Sequence, residues 1–213
     1  MRSSAGITNG EGRDATGRRN EQSGESGMLL TLTGGAGAGK TTLAAALVET
    51  APHTPVRVLH GDDYYFHTPD RGVWAPDEAG TPRLDVGDPR SMDAERLGRD
   101  ADAALATAAY VIVDGMFAHH IAPGTPHARF DVFVDLPADL RLARKIRRKC
   151  LSEGFPLDVL LRNYVEHRRD AHTRHVEPVR HVCDLVVDAT LDPHTVARDV
   201  WSAITNRADT QSS

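Results

Sequence analysis

The sequence predicts an α/β fold, in which a parallel five-stranded sheet carries helices on both faces. Two observations point to it. Five short apolar runs are spaced along the chain, at residues 28–33, 56–60, 110–114, 130–135 and 184–188. Longer runs with the composition of helices separate them. Parallel strands need crossover connections of this length, and their near-continuous apolar character indicates burial on both faces of the sheet.

The helices are predicted from runs rich in Ala, Leu and charged residues. Their spans are 41–48, 91–109, 136–149, from a break at 152–156 to about 174, and from 193 to about 206. Ser91 or Asp93 stands near the start of the second helix, as a residue that caps a helix should. Gly154 and Pro156 account for the break, because both residues interrupt helices.

A glycine-rich segment between the first strand and the first helix indicates phosphate binding. Residues 34–41 read Gly-Gly-Ala-Gly-Ala-Gly-Lys-Thr, which matches G-x-x-x-x-G-K-[ST]. Such a loop wraps phosphates with backbone N–H groups, and the helix start adds positive potential. The predicted nucleotide-binding residues are Gly34, Gly35, Ala36, Gly37, Ala38, Gly39, Lys40, Thr41 and Thr42. An ordinary glycine-rich turn is the alternative, but the spacing and the context favour a three-layer P-loop NTPase fold.

Acidic residues follow two further strands, at the edge where ligands bind in such sheets. Asp114 ends the third strand and, with the Thr41 hydroxyl, is predicted to bind Mg²⁺. Asp62 follows the second strand and is predicted to accept the proton of an alcohol during phosphoryl transfer. Asp63 is the candidate cap of the following turn. The alternative is that these acids only form turns.

Three arginines are predicted to share one helical face. Arg141, Arg144 and Arg148 fall at spacings of three and four residues, directly before the break with Gly154. A positive face beside such a break is typical of a helical lid, which we place at about 144–160. There Arg144 and Arg148 would neutralise the transferring phosphoryl group, as Lys40 would from the loop. A solvated surface helix is the alternative.

Acceptor contacts are predicted from aromatic and polar residues near the expected site. Tyr65 and His120 are candidates for stacking or edge contacts with a ring. Asp85 is a candidate partner for sugar hydroxyls, although its segment alone suits a plain Pro/Gly loop.

Length and charge narrow the class of protein. The chain has 213 residues, which suits one domain with tails, and a formal net charge of -5. This balance does not favour binding to nucleic acid or an anionic membrane, and no apolar run is long enough to span a bilayer. The two cysteines lack zinc or redox spacing, so a reduced cytoplasmic protein is expected. His167, His172 and His175 lie close in sequence, but surface positions are favoured over a metal site.

The chain is divided into three segments by composition. Residues 1–27 are polar and almost free of apolar side chains, which predicts a disordered tail with no signal or transit peptide. Met28, at the first strand, is an alternative translation start. Residues 28–207 form the predicted kinase-like domain, and 208–213 a second disordered tail.

These segments together resemble the uridine kinase and phosphoribulokinase family of P-loop kinases, whose relatives include nicotinamide riboside kinase and pantothenate kinase. The resemblance spans roughly residues 28–190. It begins with the loop at 34–42. Asp62 matches the first Asp of the family's Q-D-[SD]-[FY]-[FY] segment, which implies the catalytic base. Asp85 matches the acid of the sugar-binding F/Y-D-x-P-x-A segment, and Asp114 replaces the usual Glu of V-I-x-E-G-I.

The second half of the resemblance lies in the helical region. Residues 133–142 are similar to the family's F-V-D-x-x-A-D-x-R-L, which puts Arg144 and Arg148 on its lid arginines. Arg169 and the residues around it match Y-x-x-x-x-R-P-M-H-x-x-F-V-E-P, which implies acceptor binding by Arg169. The lid departs from the R-D-x-x-x-R-G of uridine kinases, because residues 148–154 read Arg-Lys-Cys-Leu-Ser-Glu-Gly.

The resemblance implies an ATP-dependent kinase for a hydroxyl of a small metabolite, with ATP and Mg²⁺ as cofactors. The 5′-hydroxyl of a nucleoside such as uridine or cytidine is the first expectation. Nicotinamide riboside, pantothenate or another sugar-like alcohol are alternative acceptors. A nucleotide-binding regulator with little transfer activity is an alternative of another class, although a pure binder would not need Asp62. No nucleic-acid or membrane partner is expected, and a homo-oligomer is possible.

Overall fold

All five predicted strands belong to one parallel sheet. The computed structural model describes residues 27–53, 55–76 and 81–211. Its strands are β1 (Met28–Thr33), β2 (Val56–His60), β3 (Trp74–Pro76), β4 (Pro82–Leu84), β5 (Tyr110–Gly115), β6 (Ala128–Asp135) and β7 (Leu185–Asp188). The main sheet has the order β2-β5-β1-β6-β7, with every neighbouring pair parallel. The predicted α/β class and five-stranded parallel sheet are therefore confirmed.

The register of the sheet decides which side chains meet at its edge. The central strand β1 pairs with β5 on one side and β6 on the other, so the loop after β1 leaves the middle of the sheet. On β5, Asp114 lies opposite Leu32 of β1 and opposite His60 of β2. The ends of three neighbouring strands thus bring the loop, His60 and Asp114 to one place.

Helices cover both faces of this sheet. They are α1 (Lys40–Glu49), α2 (Ala94–Leu105), α3 (Ala138–Ile146), α4 (Leu157–Asn163), α5 (Arg169–His175) and α6 (Pro193–Gln211). Alternate residues of β1 face opposite layers: Leu30 and Leu32 pack with α1 and α6, whereas Leu29 packs with α2. Leu29, Leu30 and Leu32 are all fully buried, as expected for a strand covered on both sides.

Several boundaries differ from the prediction. The second helix begins at Ala94, because Asp93 caps it by accepting a hydrogen bond from the Arg96 backbone N–H at 3.0 Å. A π-helical turn, Arg147–Ser152, continues α3, and another, Tyr164–Arg168, joins α4 to α5. One residue more per turn changes which side chains share a face.

A small hairpin was not predicted. Strands β3 and β4 pair antiparallel between Trp74 and Leu84, in a segment for which the sequence analysis predicts no strand. The two strands have three residues each and carry Pro76 and Pro82, so alternation of apolar residues could not reveal them.

The ends of the chain also differ in part from the prediction. The predicted tail at 208–213 is wrong over its first four residues, because α6 continues to Gln211. Gly27 is buried, and a methyl group there would lie 2.2 Å from the Ala108 carbonyl oxygen. Residues 1–26 of the predicted N-terminal tail lie outside the described residues. Among the helices that the structure describes, none has the length and apolar character to cross a membrane.

Candidate active site

The predicted phosphate-binding loop joins β1 to α1. Gly37 and Gly39 have φ angles of 85° and 100°, which favour glycine because other side chains are strained there. Gly34 passes so close to β6 that a methyl group would lie 2.5 Å from the Val134 carbonyl oxygen. Both the conformation and the close packing therefore require the glycines that the motif supplies.

Lys40 lies at the start of α1, folded back onto the loop. Its Nζ donates hydrogen bonds to the carbonyl oxygens of Gly34 at 3.0 Å and Gly35 at 3.1 Å. Burial lowers the pKa of Lys40 to about 8, although the nearby charges of Asp62 and Asp114 act in the opposite direction. The structure thus brings Lys40 together with both predicted acids.

Asp114 is almost completely buried at the end of β5. Its side chain is 4 % exposed, and its Oδ1 accepts a hydrogen bond from Nδ1 of His60 at 2.7 Å. Thr41, at the start of α1, lines the same cleft as Asp114. A carboxylate and a hydroxyl suit Mg²⁺, which prefers oxygen ligands and usually completes its shell with water and substrate phosphates.

No fully protein-built metal site accompanies this pair. In the described parts of the chain, no group of three or more His, Cys, Asp or Glu side chains is placed to hold a metal ion. Two oxygen donors, such as Thr41 and Asp114, suit a Mg²⁺ ion whose other ligands are water and the phosphates of a nucleotide.

A cleft of about 920 Å³ contains most of the predicted nucleotide site. Residues 36–42 of the loop line it, together with Asp62, Tyr65 and Asp114. Gly34 and Gly35 lie behind this surface, where their carbonyl oxygens hold Lys40. Asp62 is exposed to the cleft at the start of the 3₁₀ turn Gly61–Tyr64. Gly61 permits this approach, since a methyl group there would lie 3.0 Å from the Asp114 carbonyl oxygen.

The three predicted lid arginines divide between two positions. Arg144 and Arg148 line the cleft, with Arg144 donating to the carbonyl oxygens of Ala38 at 3.4 Å and Ala189 at 3.3 Å. Arg141 instead lies against the loop, where a methyl group on Gly35 would be 2.2 Å from its Nη1. Arg141 is held there by a hydrogen bond from its Nε to the Leu136 carbonyl oxygen at 3.0 Å.

A second, smaller cavity of about 220 Å³ adjoins the cleft. The two share four lining residues, namely Ala36, Val86, Met116 and Lys145. Arg169 lines the smaller cavity, as its predicted role in acceptor binding requires, and so do Arg141, Arg168 and His172. An alcohol in the small cavity would therefore be a direct neighbour of a phosphate chain in the cleft.

Asp85 stands beside this cavity and is held in place. It forms an ion pair with Nη1 of Arg168, and its Oδ1 accepts a hydrogen bond from the Gly87 backbone N–H at 3.0 Å. Tyr65 donates its hydroxyl to the Val86 carbonyl oxygen at 3.1 Å. Burial, with the charges of Asp62 and Asp85, raises the pKa of Tyr65, so its hydroxyl remains a donor.

His120 is a predicted site residue that the structure places away from both cavities. It lines neither cavity, and it lies on the short turn Ala118–His120, with its ring centre 5.8 Å from that of His119. Burial lowers its pKa, and the charges of the neighbouring His119 and His175 act in the same direction. The structure therefore places His120 outside both cavity walls, and its contact with an acceptor ring stays a prediction.

Three residues at the site were missed in the sequence. Lys145 lies at the wall between the two cavities, where burial and neighbouring cations, Arg168 first among them, lower its pKa. Arg168 holds Asp85, and His60 holds Asp114. The position of Lys145 next to Arg144 in the sequence could have indicated its place at the site. No spacing in the sequence indicates that Arg168 pairs with Asp85 or that His60 pairs with Asp114.

Comparisons with known proteins identify related sequences. The model of the phosphoribulokinase / uridine kinase family matches residues 88–195. A uridine kinase of Deinococcus deserti is 27 % identical over 179 residues, covering 75 % of this chain and 86 % of that protein. A uridine kinase of Chlamydia pneumoniae is 24 % identical over 202 residues, covering 85 % of this chain and 90 % of its own.

Solved structures show the same fold at low identity. A sugar kinase from Janibacter has a TM-score of 0.52 at 17 % identity, covering 84 % of this chain and 95 % of that structure. A gluconokinase from Sinorhizobium meliloti has a TM-score of 0.51 at 17 % identity, covering 88 % of this chain and 96 % of that structure. These structures confirm the P-loop kinase fold. Because the family model matches over half of the sequence, the chain belongs to the phosphoribulokinase/uridine kinase family.

Proposed function

We propose that this protein transfers the terminal phosphoryl group of ATP to the 5′-hydroxyl of a nucleoside, with uridine or cytidine as the first candidates. The observation that carries the proposal is the junction of the two cavities, where the loop residue Ala36 and Lys145 belong to both walls. Two substrates bound side by side in this way would have their reacting atoms at the shared wall.

ATP binding follows from the loop and its lysine. The backbone N–H groups of residues 35–41 would surround the phosphates, aided by the start of α1. Lys40, now bonded to two loop carbonyl oxygens, has its amine within the loop and would turn to the terminal phosphates. Thr41 and Asp114 would hold Mg²⁺, which neutralises charge on the phosphates when it is bound.

Asp62 is the proposed general base. It is the exposed carboxylate of the cleft that lies close to Lys40, and it belongs to the strand end beside Asp114. In that position it would orient the acceptor hydroxyl and take its proton as the oxygen attacks the terminal phosphorus.

The helical lid would complete the site. Arg144 and Arg148 line the cleft from α3 and the following π-helical turn, and Lys145 stands between them. Closure of this segment over the phosphates would exclude water, which would otherwise hydrolyse ATP, and would stabilise the charge that develops on the transferred group. We place this lid at about 144–160 within a kinase domain of 28–207.

The nucleoside is proposed for the small cavity. Asp85, beside the cavity wall, would accept hydrogen bonds from the sugar hydroxyls, with Tyr65 and Arg169 as further contacts. The relatives named uridine kinase support a nucleoside over nicotinamide riboside, pantothenate or another alcohol. They equally support an active kinase over a regulator, despite the altered lid.

ADP release with Mg-ATP tests the proposal, measured against a panel of nucleosides, nicotinamide riboside and pantothenate. We expect release that depends on uridine or cytidine and is lost in Asp62→Asn, while ATP affinity stays nearly unchanged. Asp63→Asn is the matched control, because Asp63 lies in the same turn and the same cleft but would serve only as a cap. Unchanged turnover in Asp62→Asn would contradict the assignment of Asp62 as the general base. Stimulation only by another acceptor would contradict the assignment of a nucleoside as the substrate.

A further inference from the structure

His60 and Asp114 are direct cross-strand neighbours. They occupy opposite positions at the ends of the parallel strands β2 and β5, and Nδ1 of His60 donates to Oδ1 of Asp114 at 2.7 Å. The histidine side chain is 46 % exposed and lines the nucleotide cleft, whereas the carboxylate is 4 % exposed. A buried carboxylate is thus joined to the cleft surface by one short hydrogen bond.

We propose that His60 is a positioning residue for the metal site, which holds the Asp114 carboxylate in the orientation that binds Mg²⁺. The inference rests on the proposed function, because Asp114 serves a metal only if the cleft takes a metal-nucleotide complex. His60 itself is not a metal ligand in this scheme, in which Thr41 and Asp114 hold the metal and Nδ1 of His60 is bonded to Asp114.

The hydrogen bond leaves one carboxylate oxygen for the metal shell. Among the described residues, no side chain or backbone group donates to Oδ2 of Asp114, whereas Oδ1 has His60. A carboxylate can rotate about its terminal torsion, which is soft, so a partner on one oxygen determines where the other points. Hydrogen bonds that orient a ligand in this way are worth about 10- to 100-fold in metal affinity.

The nearby ammonium group of Lys40 is a second reason why the orientation of the Asp114 carboxylate must be held. This ammonium is close enough to both Asp114 and Asp62 for their charges to act on its pKa. A free Asp114 carboxylate could turn toward this cation instead of the metal, because opposite charges at close range attract each other. His60 holds the carboxylate from the side of β2 and so opposes that rotation.

The test measures the affinity of the full chain for Mn²⁺, a paramagnetic substitute for Mg²⁺, in the presence of a non-hydrolysable ATP analogue. The affinity is obtained by titration followed by electron paramagnetic resonance. His60→Ala removes the donor. His60→Asn retains one, because the Asn amide nitrogen occupies nearly the position of Nδ1. His60→Gln places its amide farther out, and His53→Ala removes an exposed histidine before β2. Asp114→Asn reports whether Asp114 contributes to metal binding at all.

We expect His60→Ala to weaken Mn²⁺ binding about tenfold, with His60→Asn close to wild type and His60→Gln closer to alanine. Affinity for the analogue in EDTA should be the same in all of them, and thermal unfolding should show that each variant is folded. Unchanged Mn²⁺ affinity in His60→Ala overturns the proposal, and so does an equal loss in His60→Asn. A chain that binds Mn²⁺ as expected but phosphorylates no nucleoside would contradict the proposed function and leave the role of His60 standing.

Discussion

Arg168 forms an ion pair with Asp85, which ties the π-helical turn between α4 and α5 to the loop after β4. The two residues are 83 positions apart in sequence. Asp85 also accepts a hydrogen bond from the Gly87 backbone, so its carboxylate is held from two sides beside the smaller cavity. This arrangement gives the Asp85 carboxylate a defined orientation, which suits its proposed role as a contact for an acceptor.

Loss of Arg168 should therefore weaken acceptor binding more than it slows the chemical step. In Arg168→Ala we expect the KM for uridine to rise about tenfold, since a hydrogen bond to a charged group is worth about 1.5–3 kcal/mol, while kcat changes less. Steady-state kinetics at saturating ATP measures both constants. Arg162→Ala is the control, because Arg162 is exposed and lies beside Asp158 on α4. An unchanged KM would show that the pair only joins the two segments.

Arg147 and Arg148 are adjacent arginines that are both exposed, and of these two Arg148 lines the cleft. We expect Arg148→Ala to lower kcat by about 10²-fold with a smaller change in the ATP KM, because its charge would act mainly on the transition state. Arg147→Ala should keep near-normal turnover. The comparison needs only initial rates with Mg-ATP and uridine, and a defect confined to KM would contradict the lid role.

Lys40 should take up a proton when a nucleotide binds in alkaline solution. Burial lowers its pKa to about 8 in the free protein, and phosphate anions favour the charged amine, so binding must raise that pKa. At pH 9 we expect uptake of roughly one proton per nucleotide, and affinity that falls as pH rises above about 8.

Calorimetry in two buffers of different ionisation enthalpy measures this uptake, with a non-hydrolysable ATP analogue as the ligand. In Lys40→Met the uptake should disappear even where residual binding is measurable. Equal heats in the two buffers with wild-type protein would mean that Lys40 is already charged at pH 9.

A substitution at Leu97 tests how much the packing of α2 against the sheet contributes to stability. Leu97 is completely buried on α2, so Leu97→Ala should lower the free energy of unfolding by about 2–5 kcal/mol. Leu151→Ala is the matched change at a side chain that is 79 % exposed, and it should stay within about 0.5 kcal/mol of wild type. Urea denaturation followed by circular dichroism gives both values, and similar losses would show that Leu151 is covered in solution.

The sequence alone was enough to predict the sheet, the loop and the reaction class. Strand runs such as 28–33 are buried on both faces, so their apolar character is continuous and local. The loop is equally local, because nine neighbouring residues supply the glycines and the lysine that phosphate binding needs. Features of this kind can be predicted because no distant part of the chain is needed to form them.

The site beyond the loop depended on the tertiary structure. His60 meets Asp114 only through the register of β2 and β5, and Arg168 meets Asp85 only because a π-helical turn and the loop after β4 converge. The position of His120 likewise depends on its short turn, which leaves it near His175 of α5 and outside both cavity walls. Spacing along a sequence gives the face of a regular α-helix. A π-helical turn has more residues per turn and a 3₁₀ turn has fewer, so each changes that face, and packing then decides which side chains reach the cavities.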